Sequence, residues 1–181
     1  MKRGFTLIEA LAVVSIIGIL AATATYVFVS ATSRSRDARR KSDLTAISLG
    51  FQARHDALAC SNETDKGRYP GYKLDNWSSG EQRWKDVARL SGTNDPCGAF
   101  SEYLITIPTD PRSGNGGLVY RFDLSIENGV IGRHYRLTAK LEKVITPNSP
   151  EDLALVRAVE VWQTSFGGAA LPEDYNYIIG N

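Results

Sequence analysis

Gly4-Phe5-Thr6-Leu7-Ile8-Glu9 opens a stretch that reaches Val29 without a second charge, and the layout of the whole chain follows from how that stretch is read. Leu11 to Val29 is nearly twenty residues long. That is enough for a helix to cross a hydrocarbon layer of about 30 Å at about 1.5 Å per residue. Glu9 is the misfit in it. A carboxylate held within a membrane costs on the order of 2 to 4 kcal/mol, less near the interface, so one that is retained there calls for a partner. Cutting the chain after Gly4 supplies one: Phe5 then carries a free ammonium a few residues from Glu9, and in a packed assembly a neighbour's ammonium is also within reach.

These residues resemble the N-terminus of the type IV pilins and pseudopilins. Met1-Lys2-Arg3-Gly4 matches their short basic leader, and Phe5 to Glu9 matches the segment after it without a gap. The resemblance implies cleavage between Gly4 and Phe5 by a membrane prepilin peptidase and N-methylation of Phe5. It also implies that Glu9 recruits and registers subunits in a helical filament. The implied partners are identical or related pilin subunits, the peptidase, a pilus or secretion assembly platform, and membrane lipid, with DNA as a further candidate. The implied location is a single pass through the cytoplasmic membrane with the head outside, followed by an extracytoplasmic filament. A looser likeness lies in Pro108-Thr109-Asp110-Pro111 ahead of a glycine-rich turn and a strand.

Three observations complicate that picture. Ala22-Thr23-Ala24 behind a basic start is also the pattern of an ordinary signal peptide, against which Glu9 argues, because an acid has no use in a discarded segment. Arg34, Arg36, Arg39, Arg40 and Lys41 outnumber Lys2 and Arg3, so counting positive charges alone would place the head inside the cell. The helix-kinking proline of many pilins is absent from Ala21 to Tyr26, leaving Gly18 as the weak point. A straighter helix, or melting at that glycine, is expected.

Beyond Ser30, Leu44, Ile47, Phe51 and Leu58 recur at helical intervals with charges between them, and no proline intervenes before Pro70. One helix is therefore expected from Phe5 to about Ala59. Ser61 to Ser79 reads as loop, and Gly80 to Leu90, with Trp84, Val87 and Leu90 in step, reads as a short helix. Leu118 to Ile126 and Tyr135 to Leu141 alternate apolar and polar residues on either side of Asn128-Gly129, which predicts a hairpin with one buried face. Ser149-Pro150-Glu151-Asp152 is a helix start, and Tyr175 to Ile179 is long enough for a terminal strand joining the hairpin. The expected fold is α+β and pilin-like: one long N-terminal helix, half transmembrane and half amphipathic, packed on a small antiparallel sheet. The parts are a leader over 1–4, a transmembrane helix and filament core over 5–30, the amphipathic half over 31–59 and a globular head over 60–181.

Composition excludes more than it selects. The formal charge of +1 becomes −1 when Lys2 and Arg3 leave with the leader, so no global field attracts nucleic acid. The basic stretch Arg34 to Lys41 suits lipid headgroups or acids of adjacent subunits, and DNA phosphates as the alternative. Cys60 and Cys97 suit one disulfide in an oxidising compartment, worth roughly 3 to 4 kcal/mol, or else two buried thiols. His55 and His134 have no metal-ligand spacing, and no nucleophile or phosphate-binding motif accompanies them, so no enzyme and no cofactor is expected. Asp110, Arg112, Ser113 and Asn115 crowd a turn where calcium is conceivable, but side chains bonding their own backbone explain the same cluster. The sequence thus points to a structural filament subunit. A minor pilin acting as adhesin or DNA-uptake receptor stands as the alternative, and an ordinary secreted protein as a third.

Overall fold

The computed structural model describes residues 6–57, 60, 62–74, 77, 84–92, 95–113, 119–127, 129–142 and 176–180. Helix α1 is continuous from Leu7 to His55, 49 residues, and it contributes to two compact units, Met1–Arg36 and Asp37–Asn181. Leu58 and the expected C-terminal helix from Ser149 lie outside the described residues.

In the first unit α1 is exposed on all sides over 7–29, with Leu7, Val14, Ile19 and Phe28 among many apolar residues open to the surroundings. It is long and apolar enough to cross a membrane. The hydroxyls along it bond back to the helix itself: Ser15 to the Leu11 carbonyl at 2.8 Å and Thr25 to that of Ala21 at 2.9 Å. A polar group among lipid tails must find its partner within the segment, and these do. The helix passes through Gly18 unbroken, where a Cβ would meet nothing.

In the second unit the same helix buries positions 37, 40, 44, 47, 51 and 54, a spacing of three and four that keeps one face inward. Leu44, Ile47 and Phe51 form its apolar centre and are fully buried. The Phe51 ring meets those of Phe100, Phe122 and Tyr135 at 5.4, 5.6 and 5.0 Å. The face rests on four antiparallel strands in the order of the chain: β1 (Lys85–Asp86), β2 (Arg121–Glu127), β3 (Val130–Ala139) and β4 (Tyr177–Gly180). A short helix α2 (Phe100–Tyr103) presses against Gly50, where an added Cβ would come within 3.2 Å of Phe100 and Leu104.

Two expectations need correction. Within the stretch read as helix up to Leu90, Lys85 and Asp86 pair with Phe122 and Arg121 as a strand, and Val87–Gly92 turns as a 3₁₀ helix. Trp84, Val87 and Leu90 are buried as their spacing suggests. A strict interval of three fits a helix of three residues per turn as well as an α-helix, so the spacing identified the face but not the element. The hairpin, in turn, has two buried faces: Asp123, Ser125, Arg136 and Thr138 are as inaccessible as Phe122, Leu124 and Leu137. Arg136 lies 3.0 Å from Asp123 through Nε, with the Trp84 ring 4.5 Å from its guanidinium.

The alternation also breaks at Ile126, which is exposed. Between the pairs Leu124–Tyr135 and Ile126–Ile131, three residues of β3 face a single residue of β2. Gly132, at φ +87°, sits in this bulge and offers its carbonyl to the Tyr69 amide at 2.8 Å. An irregular register changes which side chains face inward beyond it.

Leu44→Asp places a carboxylate against Phe51 and the sheet with no cation assigned to it, at a cost comparable with the roughly 5 to 15 kcal/mol that holds a domain together. Loss of the near-ultraviolet circular dichroism of the head, with the helical signal of the first unit retained, is the expected outcome.

Candidate functional site

Thr6 and Glu9 stand at the start of α1 in a reciprocal arrangement. The Thr6 amide donates to Glu9 Oε2 at 2.9 Å and its hydroxyl donates to the same oxygen at 2.7 Å, while the Glu9 amide donates to Thr6 Oγ1 at 3.4 Å. A threonine followed three residues later by a glutamate can satisfy two orphan amides of a first helical turn at once, which is why the helix begins at Leu7. The Glu9 carboxylate is exposed, and its Oε1 takes no hydrogen bond from the described residues. Half of the charged group is thus held by its own chain and half is open. Gly4 and Phe5 lie outside the described residues.

The basic stretch that follows does not form one continuous surface. Arg34, Arg39 and Lys41 are exposed, with Lys41 5.2 Å from the Tyr177 ring, but Arg40 is fully buried. Arg40 Nε and Nη2 donate to the two oxygens of Asp110 at 2.7 and 3.1 Å, and Nη1 donates to Asp37 at 2.8 Å and Glu142 at 3.1 Å. Burial works against its charge. Asp110, by hydrogen bond and by field, together with the bonds to Asp37 and Glu142, outweighs that effect and keeps the guanidinium more firmly protonated than usual. Asp110 also accepts the Arg112 amide at 2.8 Å, so its oxygens are engaged inside the protein. Asn115, grouped with Asp110, Arg112 and Ser113 on the sequence, lies outside the described residues.

Arg54 repeats the pattern at the other end of the buried face. Its Nε donates to Asp95 Oδ2 at 3.2 Å, Nη2 donates to Asp95 Oδ1, and Nη1 donates to the Arg68 carbonyl at 2.8 Å. Cys60 and Cys97 are joined in a disulfide beside it. His55 stacks on Tyr69 at 4.5 Å, and His134 lies 3.4 Å from Glu127. Among the described residues no three histidine, cysteine, aspartate or glutamate side chains gather as a metal site.

A search limited to apolar periodicity passes over Arg40 and Arg54. The signal was nonetheless present, since 37, 40 and 54 continue the interval of Leu44, Ile47 and Phe51 in both directions.

A family model described as the prokaryotic N-terminal methylation motif matches residues 1–25. That motif supports the resemblance of the N-terminal segment to the type IV pilins and pseudopilins. The Thr6–Glu9 cap lies within the matched region, and the exposed apolar helix begins there. The pilin-type fold, a long N-terminal apolar helix with a small antiparallel sheet, is present as well. The family is structural rather than enzymatic. No curated protein and no solved structure matches the chain.

Thr6→Val keeps the shape and removes the hydroxyl. The first turn of α1 is expected to lose about 1 kcal/mol, read as faster amide exchange over 7–10 in micelles with the rest of the helix unchanged. Arg40→Ala leaves three carboxylates facing one another and is expected to cost about 3 to 5 kcal/mol in denaturant titration of the full chain.

Proposed function

We propose that this chain is the structural subunit of a type IV pilus or of a secretion pseudopilus, assembled through α1. The observation that carries the reading is the methylation motif over 1–25 leading into a helix exposed on all sides, in which Glu9 is the only charged residue between Leu7 and Ser33. Apolar surface of that extent is stable only against lipid tails or against other helices of its kind.

In this reading, cleavage between Gly4 and Phe5 leaves an ammonium on Phe5, which is then N-methylated; the methylation motif over 1–25 supports it. Glu9 Oε2 is engaged by Thr6, and Oε1 is free to accept that amine from a neighbouring copy as the subunit leaves the membrane. Pairing the two charges offsets much of the cost of holding either one in an apolar filament core. The subunit waits in the cytoplasmic membrane with its head outside, a placement the cysteine pair favours because disulfides persist in oxidising compartments. Its partners are copies of itself or related subunits, the prepilin peptidase, the assembly platform and, before extraction, membrane lipid.

Sequencing the mature N-terminus is expected to give Phe5, N-methylated; a start at Thr25 would overturn the reading in favour of an ordinary secreted protein. Glu9→Gln is expected to leave insertion and head folding intact while filament yield falls at least about tenfold, in line with a charge pair worth more than about 1.4 kcal/mol. Normal filaments from that variant would remove the pairing role of Glu9.

A further inference from the structure

The Cys60–Cys97 bond lies next to a buried ion pair that neither the filament reading nor the family's motif uses. Cys97 is buried while Cys60 is partly exposed, so Cys60 is the more accessible half of the bond. The Cys97 amide donates to Asp95 Oδ1 at 3.0 Å, and Tyr103 donates its hydroxyl to the Cys97 carbonyl. Asp95, held in this way, is the carboxylate that receives Arg54, whose side chain is wholly inaccessible. Arg54 stands one residue before the end of α1, and its third nitrogen, Nη1, donates to the carbonyl of Arg68, within the loop that the disulfide closes. The cross-link, the backbone around Cys97, Asp95 and the last turn of the helix therefore form one chain of contacts.

We propose that the disulfide is a redox latch on the end of α1: oxidation seats Asp95 against Arg54 and fixes the last turn of the helix in the head, and reduction releases that turn. The chemistry is thiol–disulfide exchange. A thiolate of an external dithiol attacks the Cys60 sulfur, the S–S bond breaks, and Cys97 leaves as a thiolate that takes up a proton. The second thiol of the reagent then displaces Cys60, closing the reagent's own disulfide and leaving both cysteines as thiols. With Cys97 free to move, Asp95 is no longer fixed. A guanidinium buried without its carboxylate is poorly tolerated, so Arg54 follows it toward solvent. The inference concerns the head alone and stands whether or not the chain assembles into filaments.

Amide hydrogen exchange on the full chain in detergent micelles, with and without dithiothreitol, tests it. Reduction is expected to speed exchange over 51–57 by on the order of tenfold more than over β2 and β3, because it opens that end locally as well as loosening the cross-linked chain. Asp95→Asn, with the disulfide intact, is expected to give the same acceleration over 51–57 without any change in cross-linking. Equal acceleration in both regions on reduction, or none, would mean an ordinary cross-link and overturn the latch. So would an Asp95→Asn protein whose last turn exchanges like the wild type.

Discussion

A guanidinium is stable out of water only where carboxylates meet it, and α1 carries two such groups, Arg40 and Arg54, on the face that enters the head. Between them lie Leu44, Ile47 and Phe51, so the buried strip is apolar in the middle and ionic at both ends. The ends give it a register that greasy contacts alone do not. Sliding the helix by one turn would leave Phe51 in some apolar environment, but it would part Arg40 from Asp110 and Arg54 from Asp95 at a cost of several kcal/mol each. The acids come from segments far away in the chain, which ties the region around Asp110, the end of β3 near Glu142 and the turn at Asp95 to a single helix.

The other half of α1 follows the opposite rule. No side chain over 7–29 is buried, its hydroxyls bond to its own carbonyls, and its one carboxylate is half satisfied by Thr6. A segment with no internal need left except for apolar contact suits both a bilayer and a bundle of identical helices, and a subunit that moves from one to the other requires both. On the proposed reading, Glu9 distinguishes the two settings. Lipid offers its free oxygen little, whereas a neighbouring amine offers a charge.

The division between legible and illegible parts follows the range of the forces involved. The span, the Leu44–Ile47–Phe51 stripe and the β2–β3 hairpin are local patterns, set by residues within a few positions of each other, and they are legible directly, whereas the Thr6–Glu9 cap, though equally local, emerged only from the hydrogen bonds. Lys85 and Asp86 look helical by interval, yet they form a strand because their partners, Phe122 and Arg121, come from more than thirty residues away. Asp123 and Arg136 look like solvent-facing residues by alternation, yet they are a buried pair, since alternation reports the pleat and not what covers each side.

By itself, the sequence determined that this protein has a pilin-type start, a membrane-length helix with one acid, and a helical stripe able to carry a sheet. Those are statements about neighbours along the chain, where covalent geometry fixes which residues share a face. Only the tertiary structure decided that Arg40 and Arg54 are interior and that Asp110 serves Arg40. It also showed that the hairpin is buried on both faces and that the disulfide adjoins the Arg54–Asp95 pair. A charged side chain is polar in every sequence pattern; whether it lies in water or in a core depends on carboxylates brought to it by folding.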